Sequence, residues 1–251
     1  MADPVRIALV FPAVLGTYGD SGNAVVLTER LRWRGIAAEA VPVEIDQPLP
    51  QQADIYVLGG GEDSAQALAV SKLADGSLRR AADRGAPMLA VCAGFQILGE
   101  TWLDGHGDVS PGLGLIDCRT DRLEGPRAVG ELLVDATREG VGVLTGYENH
   151  GGRTVLGPAA RPLGVVRSGV GNGAATVDGA VQGSVVATYL HGPALARNPA
   201  LADHLLTQVV GSLTPVDDRE AAELREERLR AARSAGRGMR RRQWRPPARD
   251  A

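Results

Sequence analysis

Between Val5 and Val91 short apolar runs alternate with helical ones, and no other feature narrows the possible folds so far. Val5–Phe11 is apolar and bounded by Pro12. Asn23–Arg34 is amphipathic and stops at Gly35, with Asp20 and Ser21 near its start as candidate caps. Ala37–Val43 and Asp54–Leu58 read as second and third strands. Ser64–Arg84 reads as a helix with a break near Gly76, and Pro87–Val91 as a fourth strand. Strand, helix, strand in this order implies right-handed crossovers. The expected fold is therefore α/β, a mostly parallel central sheet flanked by helices. Ligand and reaction sites in such sheets gather at the carboxyl ends of the strands. Gly59-Gly60-Gly61 and Cys92 both follow such ends.

Cys92 stands between the apolar run Pro87–Val91 and Phe95–Trp102, which has helical spacing, with Gly94 at the junction. The cysteine is thus expected on a strand-to-helix turn, its sulfur near the unpaired N–H groups of a helix start. That field favours the thiolate, which is the nucleophilic form. Strand–nucleophile–helix elbows place the next residue's N–H at the oxyanion. The plain alternative is a buried structural cysteine, the commoner state of a free thiol. Cys118, in Gly114–Cys118, falls on an expected strand with no turn to expose it.

A second step needs a base and an oxyanion site. His204 lies among Leu201, Leu205 and Leu206 and reads as structural, and His106 lies in a Gly-flanked loop. His191 ends the apolar run Val185–Leu190 and is followed by Gly192-Pro193, which suits a residue facing a cleft. His150, in Gly146-Tyr-Glu-Asn-His150-Gly-Gly152, competes with it. Ala93 N–H and a glycine N–H from Gly59–Gly61 are candidate oxyanion donors. No Lys-Ser/Thr follows that glycine run, so it is not a P-loop.

The 251 residues suit one domain over 1–214 and an Arg-rich tail over 215–251. From Arg228 to Ala251 there are nine arginines and one acid, while the whole chain carries a net charge of −3. The body is therefore acidic, which disfavours nucleic acid as a partner. The tail reads as a solvated helix over Glu220–Arg233 and a disordered stretch of about fifteen residues, with peripheral contact to anionic lipid as an alternative. No run approaches the roughly 18 apolar residues of a membrane span. The N-terminal sequence enters a strand directly, unlike a signal peptide. Two cysteines fit a reducing, cytoplasmic setting, and no metal-ligand spacing occurs. Beyond Gly112 short β-like segments (Arg127–Val134, Val141–Gly146, Leu163–Val166, Val185–Leu190) suggest antiparallel or mixed additions. Asn198–Val210 reads as a closing helix.

Several motifs together resemble a known family. Tyr18-Gly-Asp-Ser-Gly-Asn23, Gly59-Gly-Gly-Glu-Asp63, Cys92-Ala-Gly-Phe-Gln96, Gly146–Thr154 and Thr188-Tyr-Leu-His191-Gly-Pro193 look like class I glutamine amidotransferases of the cobyric-acid-synthase (CobB/CobQ) type. The resemblance runs from about Arg6 to Val210 and implies a flavodoxin-like fold. It also implies a Cys-His mechanism in which Cys92 attacks the glutamine side-chain amide and His191 acts as base and then acid. Gly60 and Ala93 would hold the oxyanion. Gln96, Asn149, His150 and Gly151 would help bind the amino-acid end of glutamine, and Arg127 its carboxylate.

Within the family the chain resembles the glutaminase subunit of lipid II isoglutaminyl synthase. That implies a heterodimer with a Mur-ligase-like MurT subunit, with ATP and Mg²⁺ on that partner and no cofactor on this chain. It implies contact with lipid II through the partner, at the inner face of the membrane. A corrinoid-type amidotransferase component and a non-catalytic α/β binding module are the alternatives. In many class I members a glutamate lies two residues after the catalytic histidine. Here that position is Pro193, so either a dyad or a carboxylate from the partner is expected, and with it weak activity of the isolated chain.

Overall fold

A computed structural model describes residues 3–242 apart from 105 and 175. Its first half follows the expected rhythm: β1 (Val5–Val10), α1 (Gly22–Arg32), β2 (Ala38–Val43), β3 (Ile55–Leu58), α2 (Asp63–Leu73), α3 (Ser77–Asp83), β4 (Met88–Val91) and α4 (Ala93–Leu98). Gly76, in the left-handed region at φ +76°, separates α2 from α3, so the expected break is present. The helix expected to continue to Trp102 stops at Leu98. A Cβ on Gly99 would lie 2.9 Å from both the carbonyl oxygen and Sγ of Cys118, so the chain turns away there. It continues as β5 (Thr101–Leu103) and β6 (Val109–Pro111).

The second half adds β7 (Cys118–Arg122), β8 (Ala128–Ala136), β9 (Gly142–His150), β10 (Gly152–Leu156), β11 (Gly164–Ser168), β12 (Val177–Asp178), β13 (Ala180–Gln182) and β14 (Val185–Thr188), then α5 (Ala194–Arg197), α6 (Pro199–Val210) and α7 (Arg219–Arg242). The central sheet has the order β13-β14-β4-β3-β1-β2. β14 lies parallel to β4 with Thr188 opposite Val91, so it belongs to the parallel core and not to the antiparallel additions. That register brings the chain beyond Thr188 beside the chain beyond Val91. The additions form two four-stranded sheets, β10-β7-β5-β6 and β12-β11-β8-β9.

All four residues of β3, β4 and β14 are buried, as expected for parallel strands covered on both faces. Burial of each Val or Leu there contributes about 1.5–3 kcal/mol. The chain leading to α7 is clamped to the body. Arg30 on α1, 2 % exposed, binds Asp203 and Asp218 through 2.7–2.9 Å bonds, and Arg34 adds a bond to Asp203. The helix expected to be solvated over Glu220–Arg233 is instead α7, running from Arg219 to Arg242. Its Leu229 is buried against Leu133 and Val143, and Arg225 donates to the Val143 carbonyl. Of the stretch expected to be disordered, the residues up to 242 are helical, and 243–251 lie outside the described residues.

Candidate active site

Cys92 occupies the turn from β4 into α4 with φ 52° and ψ −104°, a conformation that a non-glycine residue adopts only under constraint. The constraint is visible on both sides. Cys92 N–H donates to Thr188 O (2.9 Å), and Cys92 O accepts from Gln96 N–H (3.0 Å). Gly94 passes so close to β3 that a Cβ there would lie 2.9 Å from Leu58 Cβ and O, which explains the glycine two residues after the cysteine. Ala93 is the first residue of α4, so its N–H lies outside the helix's own ladder. Cys118 is also buried, but burial together with nearby Asp117 and Glu100 pushes its thiol up to about 12. It stays a thiol at neutral pH.

His191, three residues past β14, is 1 % exposed. Its Nδ1 lies 2.8 Å from Oδ2 of Asp20, itself fully buried. Nε2 makes no hydrogen bond. Burial opposes the charged imidazole, but the hydrogen-bonded Asp20 and the nearby Cys92 outweigh it and raise the His191 pKa to about 10. A Cβ built on Gly60 would meet His191 Cε1 at 2.7 Å, Asp20 Oδ2 at 3.2 Å and Cys92 Cβ at 3.5 Å. Thiol, imidazole and carboxylate thus converge on one residue that must be glycine.

The orienting acid comes from this chain, neither missing nor left to a partner. Asp20 does not cap α1, whose N-cap Ser21 makes no side-chain cap bond. Its Oδ2 accepts from Gly60 N–H (2.8 Å) and faces His191. The start of α1 is registered on the start of α5 by Asn23, whose Oδ1 accepts from Leu195 N–H (2.9 Å), and by Gly22, which packs on Pro193. The same contact corrects a second expectation. Gly60 N–H is committed to Asp20, so in this conformation it does not serve the oxyanion.

The mouth of the site is built on β9, where alternation decides each role. Tyr147 and Asn149 are half-buried, whereas Glu148 and His150 are buried on the opposite face. Asn149 donates to the Tyr18 hydroxyl and accepts from Arg127 Nε, and Arg127 Nη2 binds Asn149 O at 3.0 Å. Gly151 runs beside Arg127, and its carbonyl accepts from Leu123 N–H (2.7 Å). Tyr18 sets its ring edge against His191 with centroids 5.0 Å apart. Gln96, one turn beyond Cys92, accepts from Gln66 and donates to Tyr189 Oη (3.2 Å). His150 does not join Asn149 at the mouth. It lies behind the site, stacked on Tyr189. His106 is exposed in a loop, as expected, and His204 lies on α6.

Asp20, Tyr18, Gln66 and Tyr189 are the residues that sequence reasoning did not select. The signal for Asp20 and Tyr18 was the Tyr18–Asn23 motif and that for Tyr189 the Thr188–Pro193 motif, whereas none marked Gln66.

The profile of the CobB/CobQ-like glutamine amidotransferase domain matches residues 6–199, most of the chain and every residue of this constellation. The chain belongs to that family. It is a glutamine-hydrolysing enzyme of the Cys-His type. It is 34 % identical to the GatD subunit of lipid II isoglutaminyl synthase (glutamine-hydrolyzing) from Staphylococcus aureus (strain N315), over 76 % of this chain and 79 % of that protein. It is 36 % identical to cobyric acid synthase from Rhodobacter capsulatus over 61 % of this chain and 32 % of that protein. Among solved structures, one described as a glutamine amidotransferase superposes with a TM-score of 0.57 at 21 % identity, covering 82 % of this chain and 99 % of that one. This last likeness supports the flavodoxin-like fold. Among the described residues no helix is long and apolar enough to cross a membrane, and no cluster suits a metal ion.

Proposed function

We propose that this chain is the glutaminase subunit of a lipid II isoglutaminyl synthase. It would release ammonia from L-glutamine for a Mur-ligase-like MurT partner that amidates the D-glutamate α-carboxylate of lipid II. The observation that carries the chemistry is the convergence of Cys92, His191 and Asp20 on Gly60. The likeness to GatD, extending over most of both proteins, favours this acceptor over the corrinoid alternative.

The thiolate of Cys92 adds to the side-chain carbonyl carbon of glutamine. The negative charge moves to the carbonyl oxygen, where Ala93 N–H meets it. His191, protonated at Nε2 and steadied at Nδ1 by Asp20, gives its proton to the leaving nitrogen. The C–N bond breaks, ammonia departs and a thioester remains. Water then attacks the thioester while His191 takes its proton, and the C–S bond breaks to return glutamate and thiolate. Arg127, Asn149 and Gly151 are placed to receive the amino-acid end of the substrate, with the guanidinium suited to its α-carboxylate. Gln96 supports that end from the floor.

ATP and Mg²⁺ belong to the partner in this reading, and this chain supplies no cofactor. In this reading the partner would cover the mouth, where Tyr18 is 47 % exposed, and shelter the released ammonia. The pair would work on the cytoplasmic side of the membrane, where the Arg-rich stretch from Arg228 would gain about 1 kcal/mol per basic residue near anionic lipid. Omission of one subunit at a time tests the proposal. Without this chain, glutamine should no longer support lipid amidation, while ammonium salts still should. Full glutamine-dependent amidation by the partner alone would refute it.

A further inference from the structure

We propose that Tyr18 is a positioning residue with two separable duties. Its ring holds the His191 imidazole in place, and its hydroxyl holds the Asn149 carboxamide beside Arg127. The inference rests on the glutaminase reading and adds a residue to it.

The ring contact is built on tied backbone. The centroids of Tyr18 and His191 lie 5.0 Å apart with their planes at 67°, an edge-to-face pairing. The ring of Tyr147 on β9 joins the cluster, 6.2 Å from that of Tyr18. Its backbone is bridged to that of His191 by two hydrogen bonds, Tyr147 N–H to His191 O (3.2 Å) and His191 N–H to Tyr147 O (2.8 Å). The loop that carries Tyr18 is tied as well, since Thr17 N–H donates to Gly60 O (3.1 Å). Asp20, two residues beyond Tyr18, reaches His191 Nδ1 at 2.8 Å. One stretch of chain thus meets the imidazole twice, through a carboxylate and through an aromatic ring. A single hydrogen bond at Nδ1 leaves an imidazole able to tilt about it. A ring packed against it removes that freedom and fixes the aim of Nε2.

The duty of the hydroxyl follows from what each neighbour can do. A guanidinium can only donate, and Arg127 Nε does so to Asn149 Oδ1, so the carboxamide oxygen is turned to the arginine. The NH₂ group is then the one that meets Tyr18, and it donates to the hydroxyl oxygen. Arg127, Asn149 and Tyr18 form one directed chain. It starts at the group suited to the substrate carboxylate and ends on the ring that touches His191.

The backbone argues that this side chain serves the site more than the fold. Tyr18 has φ 59°, in the left-handed region where a bulky residue is strained and glycine is not. Its side chain is 47 % exposed, so replacing it costs less packing than replacing a core ring.

The experiment is the kinetics of Tyr18→Phe, Tyr18→Leu and Tyr18→Gly in the complex at saturating partner, joined to a spectrum of the full chain with labelled histidine. Tyr18→Phe keeps the ring, so the glutamine KM should rise about 3–10-fold with kcat within about twofold of wild type. In an Asn149→Ala background the same change should add nothing. Tyr18→Leu and Tyr18→Gly lose the ring, and their kcat should fall about 3–10-fold below that of Tyr18→Phe. The His191 ring resonance, assigned by its loss in His191→Gln, should stay in place in Tyr18→Phe and move in Tyr18→Leu, which alone of the two removes the ring current. The melting temperature of Tyr18→Gly should equal or exceed that of Tyr18→Leu despite its slow turnover. Equal kcat in Tyr18→Phe and Tyr18→Leu, or an unmoved His191 resonance in Tyr18→Leu, would overturn the duty of the ring. A wild-type KM in Tyr18→Phe would overturn that of the hydroxyl. Absence of glutamine hydrolysis by the wild-type complex would instead overturn the glutaminase reading, since the His191 resonance is read without turnover.

Discussion

Asp20 and His191 are separated by 171 positions in sequence, yet their buried side chains meet at 2.8 Å. The acid that many relatives carry just after the histidine is here supplied by the loop before the first helix. Its partner atoms, His191 Nδ1 and Gly60 N–H, hold it from two sides. An isolated chain therefore already contains an oriented base, and the expectation of feeble activity for want of an acid loses its ground.

Asp20→Asn should lower kcat about 10²–10⁴-fold, because the imidazolium loses the charge that steadies it. The same variant tests the linkage to stability. His191 is raised from 6.5 to about 10 in the folded chain. Its stabilising contribution is therefore full below about pH 6.5 and lost as the pH rises through about 10. Denaturation curves of the wild type should show that loss, and those of Asp20→Asn should show a smaller one.

Gly60→Ala should abolish hydrolysis while leaving the fold intact. The added methyl would sit 2.7 Å from His191 Cε1 and displace the imidazole from Cys92. Retention of wild-type kcat in a folded Gly60→Ala chain would count against the site geometry.

A glutamine-like electrophile should modify Cys92 alone. With its thiol pushed up to about 12, Cys118 offers no useful thiolate near pH 7, and peptide mapping would show it unlabelled.

Arg127→Ala should raise the glutamine KM about 10–100-fold, the range expected for one charge-assisted hydrogen bond of about 1.5–3 kcal/mol. Because Arg127 also holds Asn149 at the mouth, Arg127→Lys should recover only part of the loss. Unchanged kinetics in Arg127→Ala would make it a surface strand residue.

Arg30→Ala should destabilise the chain by about 3 kcal/mol, the lower end for breaking a buried pair whose acids are partly exposed. It leaves Asp218 without the guanidinium that ties it to α1 and should loosen α7, which a hydrogen-exchange map would locate.

The parallel half was legible because each of its elements announces itself. Four-residue apolar runs bounded by turns are too short for helices and suit buried strands, and Gly35 and Gly76 stop helices where φ turns positive. Cys92 and His191 were legible for the same reason, since both stand at strand ends. The additions were less so: β5 and β6 have three residues each, β10 follows no strong period, and β7 takes its partners β5 and β10 from either side in sequence. Asp20 was misread as a cap, since an acid before a helix has a local role that outweighs any distant one in sequence alone. His150 was misplaced although the signal was present. Alternation along β9 puts Asn149 and His150 on opposite faces, and only one of them can face the substrate.

The central claim is that Cys92, oriented through His191 and Asp20, supplies the nitrogen used by the ligase partner. Glutamine labelled with nitrogen-15 at its side-chain amide, given to the assembled complex with ATP and Mg²⁺, follows that atom directly. The account predicts label in the amidated lipid with the wild-type chain, none with Cys92→Ser, and restored amidation of the Cys92→Ser complex by unlabelled ammonium. Label reaching the product at the wild-type rate through the Cys92→Ser complex would contradict it.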